Sequence, residues 1–180
     1  PNFYGLLEEW GIAVEEGILF ETNANNYIPG SPTVLGSYVN TEDDITKGIT
    51  TCITGNNLPI KPAFEKEGLY TVTSLVTTPE SVVNAPVGTA DSWNGANDYK
   101  KESFATVLLS ERMTYNGDNE QIKNSVFAFS SIDFIYSDYA EMKQISNKDI
   151  AFAAAERACG AEDSGISFVA KTIEQESFAD

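Results

Sequence analysis

The sequence predicts an α/β fold of the layered type, built on a largely parallel sheet. Strand-like and helix-like patterns alternate along the chain, as they do in folds of this class. Two near-continuous apolar runs, at 104–109 and 126–129, are typical of strands that are buried on both faces of a parallel sheet. A length of 180 residues with 42% apolar content is enough for one domain with a substantial core. We therefore expect a single α/β domain over residues 1–180.

The first half of the chain predicts one short helix followed by strands. Phe3, Leu6, Leu7 and Trp10 fall at helical spacing and should form one buried face, and Gly11 should end that helix. A polar segment rich in Asn, Gly and Pro predicts a loop at 21–32. A brief second helix is expected after residue 41, where a threonine precedes three acids. Strands are predicted at 12–20, 34–39, 58–64 and 70–77.

The second half predicts a long loop, a turn and one helix. The polar segment 78–101 has the length of a functional loop. Residues 116–118 read Asn-Gly-Asp, which indicates a turn between the two apolar strands. A capping-box-like start at 146–149 precedes an Ala-rich helix at 150–158. The tail 164–180 contains a segment, 166–173, that fits an edge strand or a tether.

Charge and composition exclude several classes of function. The net charge of −16 argues against direct contact with nucleic acid or anionic lipid. The chain has no histidine, so no Ser-His-Asp or Cys-His site can form. The sequence has neither a phosphate-binding loop nor a dinucleotide fingerprint, and its acidic residues lack the spacing of a calcium loop or a glycosidase pair. We expect no catalytic residues, no metal and no cofactor.

The two cysteines, Cys52 and Cys159, allow two interpretations. A disulfide between them would close a very long loop. The alternative is two buried free thiols, since Cys52 lies in a β-branched run and Cys159 follows the helix at 150–158. We expect the free thiols and assign neither residue as a nucleophile.

Five segments carry motifs in a consistent order along the chain. Residues 5–12 read GLLEEWGI, residues 42–49 read EDDITKGI, and residues 72–81 read VTSLVTTPES. Residues 127–134 read FAFSSIDF, and 147–171 contain EDSGIS before a closing lysine. In this order the segments resemble those of the extracytoplasmic domain of GldG-type auxiliary proteins of ABC transport systems.

This resemblance implies a fold, a location and partners. The fold would be flavodoxin-like or similar to class I glutamine amidotransferases, without their Cys-His pair. The chain would be the excised outer domain of a membrane-anchored protein, whose tail at 164–180 leads to a membrane helix that follows it. The partners would be an ABC-2 type permease and its ATPase, at the outer face of the cytoplasmic membrane. The membrane would be reached through that helix alone, and the small-molecule ligand stays unknown.

Candidate ligand-binding residues lie where strands are expected to end. Open α/β sheets bind ligands at the carboxyl ends of their strands, and hydroxyls and a carboxylate follow two of the predicted strands. An exposed tryptophan in the long loop would add a stacking surface. The alternative role for the hydroxyls is turn and helix capping. The candidates are Ser74, Thr77, Thr78, Ser81, Trp93, Ser130, Ser131 and Asp133.

Three functions therefore follow from the sequence. The first is a non-enzymatic auxiliary or binding component of an ABC-2 type transport system. The second is a carbohydrate-binding or carbohydrate-processing domain, for which a carboxylate pair beside an aromatic floor would be diagnostic. The third is a purely structural interaction module, which predicts an exposed apolar patch instead of a polar pocket.

Overall fold

A computed structural model describes residues 3–89, 99–136, 138, 142 and 144–160. In these residues it has eleven strands and two α-helices, together with a 3-10 turn at Ile132–Phe134. The elements are α1 Phe3–Glu9, β1 Ile12–Val14, β2 Ile18–Glu21, β3 Tyr27–Ile28, β4 Ser31–Val39, β5 Cys52–Gly55, β6 Ile60–Pro62, β7 Lys66–Glu67, β8 Tyr70–Thr77, β9 Val82–Ala85, β10 Ala105–Tyr115, β11 Gln121–Phe129 and α2 Asn147–Ala158.

The fold is mostly antiparallel β, so the predicted α/β class with a largely parallel sheet is wrong. Nine strands form one sheet in the order β1-β6-β10-β8-β4-β3, with β11 on β10, β5 on β4 and β7 on β8. Strands β2 and β9 form a separate pair. Every described pairing is antiparallel. The flavodoxin-like and amidotransferase-like layers that the resemblance implied do not describe this chain.

The central strand β10 explains why the apolar runs were misleading. It pairs along one edge with β11 and along the other with β8. Val107 and Leu109 belong to a core cluster that includes Ile150 of α2, whereas Leu108 belongs to a second cluster that includes Leu7 of α1. Both faces of β10 are thus covered, and its continuous apolar sequence reports that coverage. It carries no information on strand direction.

Several predicted elements are confirmed and others need correction. Strand β8 matches its prediction, and the turn at 116–118 joins β10 to β11 in a hairpin. The predicted strand 12–20 is two strands, β1 and β2, separated by Gly17. Turns stand where the brief helix after residue 41 was expected. The predicted loop 78–101 contains β9, which pairs with β2, and its residues 90–98 lie outside the described ranges.

Helix α2 begins three residues earlier than predicted, and the contacts that fix its start differ from the expected capping box. Ser146 occupies the N-cap position without a side-chain capping hydrogen bond. Asn147, which is fully buried, instead joins the helix to the sheet. Its side chain accepts a hydrogen bond from Ile53 N–H at 3.1 Å and donates to the carbonyls of Ile53 and Phe134 at 2.6 and 2.7 Å. The amide therefore takes the place of a neighbouring strand along one stretch of β5.

Candidate functional site

The turn after β11 holds three of the predicted site residues. Ser131 caps the 3-10 turn, since its hydroxyl accepts a hydrogen bond from Asp133 N–H at 3.1 Å. The Asp133 carboxylate accepts a hydrogen bond from Asn56 Nδ2 at 2.7 Å. Asn56 has a positive φ of 50°, a backbone conformation that asparagine tolerates better than most residues. These contacts fasten the turn to the loop between β5 and β6, which is the capping role considered as the alternative to ligand binding.

Ser130 lies beneath this turn in a buried polar cluster made of Thr54, Asn57, Thr106 and Ser130. The Asn57 Oδ1 atom accepts hydrogen bonds from the hydroxyls of Thr54 and Ser130. Asn57 Nδ2 and Thr106 Oγ1 have no hydrogen-bond partner among the described residues. Thr106 lies at an irregularity in the pairing of β10 with β8, where an extra residue is left without a cross-strand partner. The cluster is sealed from the surface and joins three strand ends.

Thr77, Thr78 and Ser81 line a different feature, the β8–β9 cleft, with a volume of about 550 Å³. The hydroxyl of Thr78 accepts a hydrogen bond from Phe104 N–H at 2.9 Å, so this residue holds the cleft wall against β10. Asn26 Nδ2 donates to Ser81 Oγ at 3.4 Å from the loop between β2 and β3. The cleft is therefore bounded by polar side chains from three parts of the chain.

The two groups of predicted residues meet at one end of the sheet but do not share a cleft. Thr78 N–H donates to Phe104 O, and Ser130 N–H donates to Thr106 O, so they flank the start of β10 on opposite sides. Two strand spacings, about 10 Å, separate such neighbours. The other two candidates do not add to either group. Ser74 is half-buried within β8, and Trp93 lies outside the described residues.

The two cysteines are free, and they lie at opposite ends of α2. Cys52 is buried beside Ile53, whose backbone bonds to Asn147 at the start of the helix. Cys159 is the C-cap residue and is exposed, so the prediction that both thiols are buried is wrong for it. A twelve-residue helix is about 18 Å long, whereas disulfide-bonded Cα atoms lie within about 7 Å of each other. The helix thus keeps the two thiols apart.

We expect the two thiols to differ strongly in reactivity. Burial, with a smaller effect of the Asp149 carboxylate, raises the pKa of Cys52 to about 12. At pH 8 the thiolate fraction is then roughly a thousandfold below that of an ordinary thiol. Iodoacetamide labelling followed by mass spectrometry should modify Cys159 and leave Cys52 intact until the protein is denatured. Equal labelling of both in the folded protein would contradict this.

A third feature, which we call the apolar cleft, was missed by the sequence analysis. It has a volume of about 750 Å³ and lies between α1, the β1–β2 turn and the end of β9. Its walls include Tyr4, Leu58 and Val87, and the last is 79% exposed. The Phe3 ring, which is 70% exposed, stands 6.4 Å from the Tyr4 ring. The helical spacing of α1 predicted a buried face, but its outward side presents apolar residues to solvent.

Acidic residues form the rim of the apolar cleft. Glu15 and Glu16 both line it, and the Glu15 carboxylate accepts hydrogen bonds from Lys61 at 3.1 Å and from Asn84 at 3.3 Å. Lys61 also pairs with Glu102 at 3.2 Å and lies 4.5 Å from the centroid of the Phe104 ring. The rim therefore has a fixed arrangement of charges at its Glu15 side.

The same network shifts the pKa values of its members. Partial burial works against the charged form of Lys61, but the hydrogen bonds with Glu15 and Glu102 outweigh it and raise the Lys61 pKa. The pKa of Glu102 is lowered, first by its hydrogen bond from Lys100 and further by Lys61, against the opposing effect of desolvation. Both shifts favour the charged forms, the ammonium of Lys61 and the carboxylate of Glu102.

Comparisons with known proteins add no assignment to these features. The chain matches no protein-family model, no curated protein and no solved structure. In the part of the chain that the structure describes, no three His, Cys, Asp or Glu side chains are grouped to hold a metal ion. No helix among the described residues is both long and apolar enough to cross a membrane.

Proposed function

We propose that this domain is a non-enzymatic auxiliary component of an ABC-2 type transport system, at the outer face of the cytoplasmic membrane. It acts by contacting the permease of that system through the apolar cleft. The observation that carries the proposal is the exposure of Tyr4, Leu58 and Val87 around one concave surface. Contiguous apolar surface of this kind, rimmed by polar groups, is characteristic of protein interaction sites.

The charge of the rim indicates the chemistry of the occupant. Glu15 and Glu16 stand at the cleft of a chain whose net charge is −16. A partner segment that combines apolar side chains with lysine or arginine would match both the walls and the rim. An anionic partner would not match the rim, and a purely polar partner would not match the walls.

The resemblance to GldG-type proteins supports the transport system as the setting. The layered fold that this resemblance implied is wrong for the chain, so the support comes from the order of the motifs along the sequence. One of these motifs, at 5–12, runs through α1 into β1 and thus forms part of the structure beside the cleft. An auxiliary component that binds by surface contact requires no catalytic group.

The proposal is tested by measuring binding of the chain to the solubilised permease–ATPase complex with variants of the cleft. Val87→Asp places a carboxylate on the apolar wall at an exposed position, where the fold should tolerate it. We expect the affinity to fall about tenfold or more. The matched control is Tyr115→Asp, at the far end of the β10–β11 hairpin, where the side chain is 61% exposed. This variant should bind within about twofold of the unmodified chain.

Two results would overturn the proposal. One is the absence of binding by the unmodified chain. The other is equal weakening by Val87→Asp and Tyr115→Asp, since that would separate binding from the apolar cleft.

A further inference from the structure

We propose that a groove on the outer face of β4 and β5 binds a neutral oligosaccharide, a function beyond the contact proposed above. The groove has a volume of about 440 Å³ and is centred on Gly36, with Tyr38 and Ile53 among the residues that line it. It adjoins the β8–β9 cleft, because Asn26, Tyr38 and Pro79 line both.

Gly36 is the first observation that points to a ligand. Its φ is outside the left-handed region, and it pairs with Ile53 in a regular ladder. A Cβ atom at this position would meet only Asn26 O, at 3.8 Å, which is an ordinary contact. Glycine weakens the interior of a strand by about 0.5–1 kcal/mol. Neither the backbone conformation nor crowding requires glycine here, whereas the close approach of a ligand to the strand would.

The pairing of β4 with β5 shows that Gly36 opens onto the outer face. Leu35 and Ser37 are buried. Gly36 and Tyr38 alternate with them along β4 and therefore lie on the opposite, outer face. Ile53, directly across from Gly36, shares that face. The missing side chain therefore leaves a notch between Tyr38 and Ile53, with strand backbone as its floor.

The lining of the groove determines the class of ligand. Tyr38 is 63% exposed and presents an aromatic ring at the junction of the groove and the β8–β9 cleft. Asn25, Asn26, Thr50 and Thr51 add amide and hydroxyl groups along the groove. Among the described residues that line the groove none is charged, and Glu80 is the one charged residue described at the adjoining cleft. Aromatic stacking combined with neutral hydrogen-bonding groups suits a sugar ring and disfavours an anion.

The continuity of the two spaces argues for more than one sugar unit. The groove and the cleft lie on either side of Tyr38, with volumes of about 440 and 550 Å³. A ring bound at the Gly36 notch would stack beside Tyr38, and the next would reach Thr77 and Ser81. This gives two residues of the sequence-predicted set a ligand contact. Tyr38 provides the aromatic ring for which the sequence analysis had considered Trp93.

NMR titration of the ¹⁵N-labelled chain with neutral oligosaccharides of glucose, xylose and N-acetylglucosamine tests this inference. We expect one of them to shift the amide signals of Gly36, Tyr38 and Thr51, with a Kd of roughly 1 mM or tighter. Oligogalacturonate, which is anionic, is the ligand control and should cause no such shifts.

Two variants separate binding from folding. Gly36→Val fills the notch with a residue that favours strands, so binding should be lost while the melting temperature is unchanged or higher. Tyr38→Ala should weaken binding about tenfold. Thr71→Val, at an exposed position of β8, is the control for a valine on an exposed strand position outside the groove and should bind normally.

The inference is overturned if none of the neutral sugars shifts these signals at about 10 mM, or if Gly36→Val binds as the unmodified chain does. Equal shifts with oligogalacturonate would also overturn it. The apolar cleft lies on α1 and β9, so Val87→Asp should leave sugar binding intact and Gly36→Val should leave permease binding intact. The two proposals can therefore fail independently.

Discussion

Replacing Asn147 with alanine should lower the free energy of unfolding by about 3–5 kcal/mol. The side chain is fully buried and makes three hydrogen bonds to backbone groups of Ile53 and Phe134. Alanine would leave one N–H and two carbonyl groups buried without a partner, and each such group costs about 1–3 kcal/mol. The same change would detach the start of α2 from β5, because the Ser146 side chain makes no capping hydrogen bond there.

Thermal and urea unfolding, followed by circular dichroism, would measure this effect. The melting temperature should fall by about 10 °C. Asn124→Ala is the matched control, since this exposed asparagine donates one hydrogen bond to Thr114 on the β10–β11 hairpin and its loss should cost less than about 0.5 kcal/mol. A loss below about 1 kcal/mol for Asn147→Ala would contradict the bridging role that we assign to it.

The local elements of this fold could be predicted from the sequence, but their assembly could not. Strand β8 and the β10–β11 turn have clear patterns of β-branched and turn residues, and both are confirmed. No such pattern in the sequence indicates whether the strands pair in parallel or antiparallel. A strand covered on both faces has the same apolar sequence in a parallel as in an antiparallel sheet. In β10 the cover comes from α1 on one face and α2 on the other.

The candidate sites, too, could be predicted from the sequence only in part. Thr77, Thr78 and Ser130 were predicted from their positions after strands, and they do lie at one end of the sheet, on either side of β10. The apolar cleft was missed because its walls come from residues far apart in the sequence, Tyr4, Leu58 and Val87. The spacing of Phe3 and Leu6 matches a buried helix face, although both are exposed. Gly36 carries no signal in the sequence. Its notch becomes visible only when the pairing shows which side of β4 faces outward.

At Asn147, the sequence motif predicts the helix start but not the hydrogen bonds that hold it in place. The capping-box pattern at 146–149 correctly places a helix start near these residues. The expected cap by Ser146 is absent, and the adjacent asparagine bonds to a strand about 90 residues away in sequence instead. A local pattern cannot predict a partner at that distance.

The second large effect is expected for Gly17→Ala, which should destabilise the chain by about 3–4 kcal/mol. Gly17 has a φ of 133°, which side chains rarely allow. A Cβ atom there would lie 1.9 Å from Asn84 Oδ1 and 2.8 Å from Ala85 O. Asn84 would have to move, and its hydrogen bonds to Glu15 and to the carbonyl of Glu16 would break. Because these residues form the rim of the apolar cleft, the permease binding that we propose should weaken as well.

Two other glycines separate the contributions to this effect. Gly30 has a φ of 82° with open space around it, so Gly30→Ala should show the backbone strain alone, about 1 kcal/mol. Gly117 also has open space and no positive φ, and Gly117→Ala should change stability by less than about 0.5 kcal/mol. Urea unfolding of the three variants should therefore rank Gly17 well above Gly30, and Gly30 above Gly117.

A double variant completes the test, because the clash has two parts. Adding Asn84→Ala to Gly17→Ala removes the contact at 1.9 Å and leaves both the backbone strain and the contact with Ala85 O. The two substitutions should thus be less damaging together than the sum of their separate effects, by about 1–2 kcal/mol. Strict additivity would mean that Asn84 moves aside without cost. The loss at Gly17 would then come from the backbone, and the rim of the cleft would not depend on this close contact.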